Sequence, residues 1–194
     1  MSKQEKFSRS VIGIALVTIL ILMIPLVAMQ FTDEVKWSPV DFIIMGALIF
    51  STGMGFILIT RSSPNVAYKI AAALTFATAF LMVWANLAVG LIGSGPNPGN
   101  LMYMAVPAVA IVGTFLSNFN PGGMERTMYF TTFILVLVTL IAFLANMDEY
   151  PSSSAKDILA VSGFFAMLFI VSGLIFRLAA HHGRQKSEKS NGLL

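Results

Sequence analysis

Six apolar runs, each about as long as a lipid bilayer is thick, constrain this chain more than any single residue does. They fall at Val11–Met29, Asp41–Thr60, Ala67–Ile92, Leu101–Phe119, Met128–Asn146 and Asp157–Leu178, and none carries a charge near its middle. A helix rises ~1.5 Å per residue, so about 20 residues cross the ~30 Å hydrocarbon core. Membrane strands are shorter, ~9–11 residues, and alternate in polarity, which these runs do not. Only 11% of the 194 residues are charged and 57% are hydrophobic. A soluble domain carries about 25% charged residues, so there is too little charge here to cover a water-facing surface. The expected fold is an all-α membrane protein, a bundle of six transmembrane helices built as three antiparallel hairpins. The bundle spans 11–179, between an N-terminal tail (1–10) and a basic C-terminal tail (180–194).

Lys3, Lys6 and Arg9 precede the first run, as they would in a secretory signal peptide. The run is longer than the ~7–15 residues of a signal's apolar region, and no small-x-small cleavage site closes it. It therefore reads as a retained first helix, with Pro25 bending its far end. The connectors carry helix-start chemistry. Ser38-Pro39-Val40-Asp41 and Ser154-Ala155-Lys156-Asp157 have the form of a capping box. Ser63-Pro64, Asn97-Pro98 and Asn120-Pro121 each place a capping side chain before a proline suited to the first helical position.

Charge predicts orientation. With six spans, one side collects Lys3, Lys6, Arg9, Arg61, Arg126, Arg177, Arg184, Lys186 and Lys189, with Lys69 at its edge. The other side holds Lys36 and Lys156 beside Asp33, Glu34, Asp41, Asp148, Glu149 and Asp157. By the positive-inside rule both termini are expected on the cytoplasmic side. The net charge of +3 follows from this topology and calls for no nucleic acid. Residues 33–41 and 148–157 also echo one another: each holds an acidic pair, an aromatic, a proline and a capping box. A duplicated hairpin explains the echo, and so does the ordinary composition of outer loops.

Few residues offer chemistry. The sequence has no Cys, which removes thiolate metal sites and cysteine nucleophiles. Asp41, Glu125, Arg126, Asp157 and Arg177 all fall at helix ends, where interfacial anchoring accounts for them. His181 and His182 point about 100° apart on a helix and have only Glu188 nearby, a poor metal set. Ser51, Thr52, Thr75, Thr78, Thr114, Ser162 and Ser172 have no His or Lys at their depth to activate them, and fit hydrogen bonds between helices better. No catalytic, cofactor-binding or metal-binding residue is expected, nor any cofactor. Small residues (Gly53 and Gly55, Ala71 to Ala73, Gly90 and Gly93, Ser162-Gly163, Ser172-Gly173) read as places where backbones approach closely.

The stretch Leu81–Tyr103 stands apart, because it joins two spans through an uncharged Gly/Pro/Asn turn. Asn86 sits inside an apolar run and needs a partner away from lipid. Trp84 suits the interfacial aromatic belt, and Pro107 removes a backbone donor and frees the Tyr103 carbonyl. Trp84, Asn86, Asn97, Asn100 and Tyr103 form the candidate cluster. They could line a small outward-facing cavity, or Asn86 could staple two helices by a hydrogen bond. Asp33, Glu34, Asp148 and Glu149 form a candidate acidic outer face.

Met29-Gln30-Phe31-Thr32-Asp33-Glu34-Val35-x-Trp37 resembles a motif of a group of small bacterial polytopic membrane proteins. Trp84-x-Asn86-Leu87-Ala88-Val89-Gly90-x-Ile92-Gly93, with Asn97-Pro98-x-Asn100-Leu101-Met102-Tyr103, resembles a second motif of that group. The group carries an acidic pair in the turn where this chain has Gly95-Pro96. The resemblance brings no activity with it, and implies that the two motifs lie near one another on the outer side. Two functions remain open: a non-catalytic scaffold, accessory or oligomeric membrane component, and a channel or facilitator for a small neutral solute or ion with its mouth at Asn86 and the 93–100 turn. The expected partners are the lipid bilayer and a second copy or another membrane protein.

Overall fold

The computed structural model describes residues 3–61, 63–93 and 97–191. Six helical stretches, the fourth of them Gly99–Leu116 with a break at Met104, are long and apolar enough to cross a membrane, so the chain is a multi-pass integral membrane protein. Among the described residues there is no strand. The helices are α1 (Lys3–Phe31), α2 (Pro39–Thr60), α3 (Val66–Ala88), α4 (Pro98–Tyr103), α5 (Ala105–Leu116), α6 (Pro121–Leu144) and α7 (Ala155–Asn191). The segment expected as one bundle over 11–179 resolves into two compact units, Met1–Ser62 and Ser63–Leu194.

The first unit is the α1–α2 hairpin. Gly53 lies against Ile14 and Gly46 against Leu22, while the Arg61 guanidinium sits 5.5 Å over the Phe7 ring. These pairs step in opposite directions along the two helices, so the helices are antiparallel. Helix α1 starts at Lys3, which makes the expected polar tail a helical extension. Ser38 and Asp41 form the capping box in full: Ser38 N–H donates to Asp41 Oδ2 at 2.7 Å, and Asp41 N–H donates to Ser38 Oγ at 3.3 Å.

The second unit packs α3 through α7. Its core is set by α6 against α7 and α3 against α7, with α5 closing on α6. Helix α3 meets α7 far more extensively than it meets α5, although α4 and α5 follow it in sequence. Several helix boundaries in this unit differ from expectation, and helix α6 begins at Pro121 instead of Met128. Helix α3 ends at Ala88 instead of Ile92, because Gly90 takes φ +81° and its N–H turns back to the carbonyls of Ala85 and Asn86, a left-handed glycine cap. The expected span 101–119 is divided at Met104, three residues before Pro107, whose ring and missing N–H exclude a regular bond to Tyr103. Helix α7 runs on to Asn191, past the expected end at Leu178.

Caps at Asn97 and Asn120 form as expected, each followed by proline at the first helical position. At α3 the cap is Asn65, not Ser63. Asn65 Oδ1 accepts from Tyr68 N–H, and its Nδ2 reaches the Ala179 carbonyl on α7 at 3.2 Å. That second bond explains the shift, since among the described residues Ser63 Oγ accepts from Asn65 N–H and holds no helix amide.

Candidate functional site

The candidate cluster is assembled by the end of α3, the loop after it and the first turn of α4. Asn100 is its centre. Its side chain is buried, and Oδ1 accepts from two successive backbone amides, Leu91 and Ile92, both at 2.8 Å. Two neighbouring N–H groups converging on one oxygen form a nest of the kind that elsewhere holds an anion. Here the occupant is the protein's own amide oxygen. Asn100 Nδ2 and Asn97 Nδ2 both donate to the Ile92 carbonyl, at 3.3 and 2.6 Å. Asn86 Nδ2 donates to the Asn100 carbonyl at 2.7 Å. The three asparagines thus tie α3, the 89–93 loop and α4 into one knot.

Backbone conformation makes the knot possible. Gly90 (φ +81°) and Gly93 (φ +59°) both lie in the left-handed region, which glycine enters without steric cost. A Cβ on Gly90 would stand 2.6 Å from Asn100 Nδ2, and one on Gly93 would stand 2.8 Å from the Pro151 carbonyl. Gly99 likewise lies against Met147 Sδ. Read from sequence as helix-packing residues, Gly90 and Gly93 are instead loop formers. The dense Gly/Asn spacing over 90–100 is the signal that points to this role. Residues 94–96, including Gly95-Pro96, lie outside the described residues.

Asn86 sits in the last turn of α3, closer to the helix end than expected. Trp84 occupies the exposed flank of α3. Tyr103 is buried, and its hydroxyl pairs with Ser162 Oγ on α7 at 3.0 Å. Asp148 and Glu149 follow the left-handed Asn146 in a single 3₁₀ turn, Met147–Glu149. Through Gly93–Pro151 and Gly99–Met147 that segment packs directly on the asparagine knot. Asp33 and Glu34 lie in the other unit, where Thr32 Oγ1 accepts from Glu34 N–H.

Deeper in the second unit, Thr75 Oγ1 and Ser172 Oγ meet at 2.6 Å, and both reach the Ala71 carbonyl. These hydroxyls do link helices, as does Ser162. Ser51, Thr52, Thr78 and Thr114 instead bond carbonyls of their own helices. Between the Thr75–Ser172 and Tyr103–Ser162 pairs, the helices present large, fully or nearly fully buried apolar side chains: Met82 on α3, Leu135 on α6, Phe165 and Phe169 on α7. Thr131, also buried on α6, has a hydroxyl without a partner. His181 and His182 are exposed, and His182 Nδ1 lies 2.8 Å from the Leu178 carbonyl.

No family model, curated protein or solved structure matches this chain. The site itself therefore carries the functional reading. Its chemistry is that of uncharged amides and hydroxyls bound to one another and to backbone. Among the described residues, no three His, Asp or Glu side chains gather where a metal ion could be held. No motif in the sequence distinguishes Asn65 or Tyr68. Tyr68 is buried against Phe176, and its hydroxyl donates to the Phe119 carbonyl at 2.9 Å. It thereby secures a connection in which Asn118 and Phe119 both have positive φ. A tyrosine one turn inside a helix that starts at a connector is the available clue.

Proposed function

We propose that this chain is a non-catalytic membrane scaffold or accessory component, acting with a second copy or another membrane protein in a bacterial inner membrane. The observation that carries this reading is the largely apolar buried interior of the second unit. Met82, Leu135, Phe165 and Phe169 occupy the stretch between its two inter-helix hydroxyl pairs. A path for a polar solute needs hydrogen-bonding groups or water along its length, and this stretch offers chiefly hydrocarbon. At the mouth proposed for a facilitator, the side chains of Asn86, Asn97 and Asn100 are engaged with backbone carbonyls and amides. Such engagement suits a rigid platform.

The test is reconstitution. Vesicles containing the chain should swell in glycerol or urea gradients, and leak potassium or protons, at the rate of protein-free vesicles. A protein-dependent increase of about fivefold or more that disappears in Asn86→Leu would replace the scaffold by the facilitator.

A further inference from the structure

Three cations stand at one depth around the second unit. Tyr68 on α3 packs its ring on Phe176 of α7, with centroids 5.3 Å apart. Glu125 of α6 reaches Arg177 of α7 at 4.0 Å. Asn65, one turn before Lys69, bonds the Ala179 carbonyl. These contacts bring the segments around 65–69, 125–126 and 176–179 to the same level. Lys69, Arg126 and Arg177 follow the layer residues Tyr68, Glu125 and Phe176 in sequence. All three cations are exposed, Arg177 while it also reaches Glu125 of α6. Glu125 is the acid at this level and offsets Arg177 in part. Helix α7 continues to Asn191, and the sequence of that stretch includes Arg184, Lys186 and Lys189 as well as Glu188.

We propose that this end of the second unit is a binding surface for anionic phospholipid, with Lys69, Arg126 and Arg177 contacting headgroup phosphates. The partner chemistry follows from position. Each cation terminates an apolar span whose flank carries exposed hydrophobic side chains: Ile70 on α3, Phe130 and Phe133 on α6, Leu174 and Leu178 on α7. Charge directly above hydrocarbon matches a lipid, which presents phosphate over acyl chain, better than a soluble anion. Guanidinium groups add forked donors that suit phosphate oxygens. The basic continuation of α7 strengthens the local field, which decays over about 8 Å at physiological salt. The ring should therefore contribute more than the extension. This surface is independent of whether the protein serves as scaffold or facilitator.

The experiment uses the full chain in a zwitterionic detergent, titrated with short-chain phosphatidylglycerol, and separately with phosphatidylcholine and inorganic phosphate. The readout is the thermal unfolding midpoint, followed by intrinsic fluorescence. Phosphatidylglycerol should raise the midpoint saturably, while phosphatidylcholine and inorganic phosphate at equal concentration should not. Each of Lys69→Gln, Arg126→Gln and Arg177→Gln should weaken the apparent lipid affinity by about fivefold, the effect expected of one cation near a membrane surface. Arg184→Gln combined with Lys186→Gln and Lys189→Gln should weaken it less than the three ring changes combined. Lys156→Gln, at the other end of α7, should leave it unchanged. Should the triple ring variant not fold, the single variants decide. Equal shifts with both lipids, a response to phosphate alone, or unchanged affinity in all three single variants would overturn the proposal.

Discussion

At the scale of the residue, asparagine does the work that charge does in many polytopic proteins. Asn86 is conspicuous in the sequence because it interrupts an apolar run, yet the knot turns on Asn100. Asn86 contributes one hydrogen bond, to the Asn100 carbonyl. Asn100 satisfies two buried amides, donates a further bond to the Ile92 carbonyl and accepts Asn86 at its own carbonyl. The sequence names both residues but not their order of importance. That order depends on Gly90 and Gly93 adopting positive φ, which aims two consecutive N–H groups at one point. Asn86→Leu should fold and lose about 0.6 kcal/mol, the average for a side-chain bond inside a membrane protein. Asn100→Ala leaves the Leu91 and Ile92 amides without their acceptor, at about 1–3 kcal/mol for each unsatisfied group. Denaturant midpoints in detergent should rank wild type, Asn86→Leu and Asn100→Ala in falling order. Amide exchange at Leu91 and Ile92 should accelerate only in the last. Equal losses in both variants would remove Asn100 from the centre.

At the scale of the element, helix type and number are legible because ~20 apolar residues in lipid leave the backbone no other way to satisfy its hydrogen bonds. Boundaries are legible where a cap is local, as at Ser38, Asn97 and Asn120. They shift where a distant contact selects among candidates, as Ala179 selects Asn65 over Ser63. Packing glycines behave in the same way, since their role depends on the partner helix. Gly163 was a candidate contact, but a Cβ there would meet nothing within 4 Å. Gly113, which no short motif distinguishes, faces Thr127 so closely that a Cβ would collide with the Thr127 methyl. Gly113→Ala should therefore force α5 and α6 apart and cost about 1–3 kcal/mol. Gly163→Ala should be neutral or stabilising by up to about 1 kcal/mol, because alanine is the better helix former. Unfolding midpoints of the two variants measure this directly. A stable Gly113→Ala would mean that the α5–α6 contact is looser than the closeness of Gly113 to the Thr127 side chain indicates.

At the scale of the whole molecule, lysine and arginine supply the direction that helix packing does not. Six spans return the chain to its starting side, so Gln4 and His181 should share one compartment and Glu149 should face the other. The distribution of twelve basic residues predicts which: with six spans, Lys36 and Lys156 alone fall on the side of Glu149. Translocating a short basic connector is unfavourable, and the bias holds for loops near span ends. The expected arrangement is both termini in the cytoplasm, with the asparagine knot and the Met147–Glu149 turn outside. Because the chain contains no cysteine, single substitutions can report position without background. Gln4→Cys, Glu149→Cys and His181→Cys all fall at exposed positions. In intact cells, a maleimide that cannot cross the membrane should label position 149 and neither of the others. After permeabilisation all three should react, which separates sidedness from burial. Labelling of 4 or 181 in intact cells would invert the orientation and put the Lys69, Arg126 and Arg177 ring on the outer leaflet. Labelling of only one terminus would mean an odd number of crossings, leaving one of the six apolar helices outside the membrane.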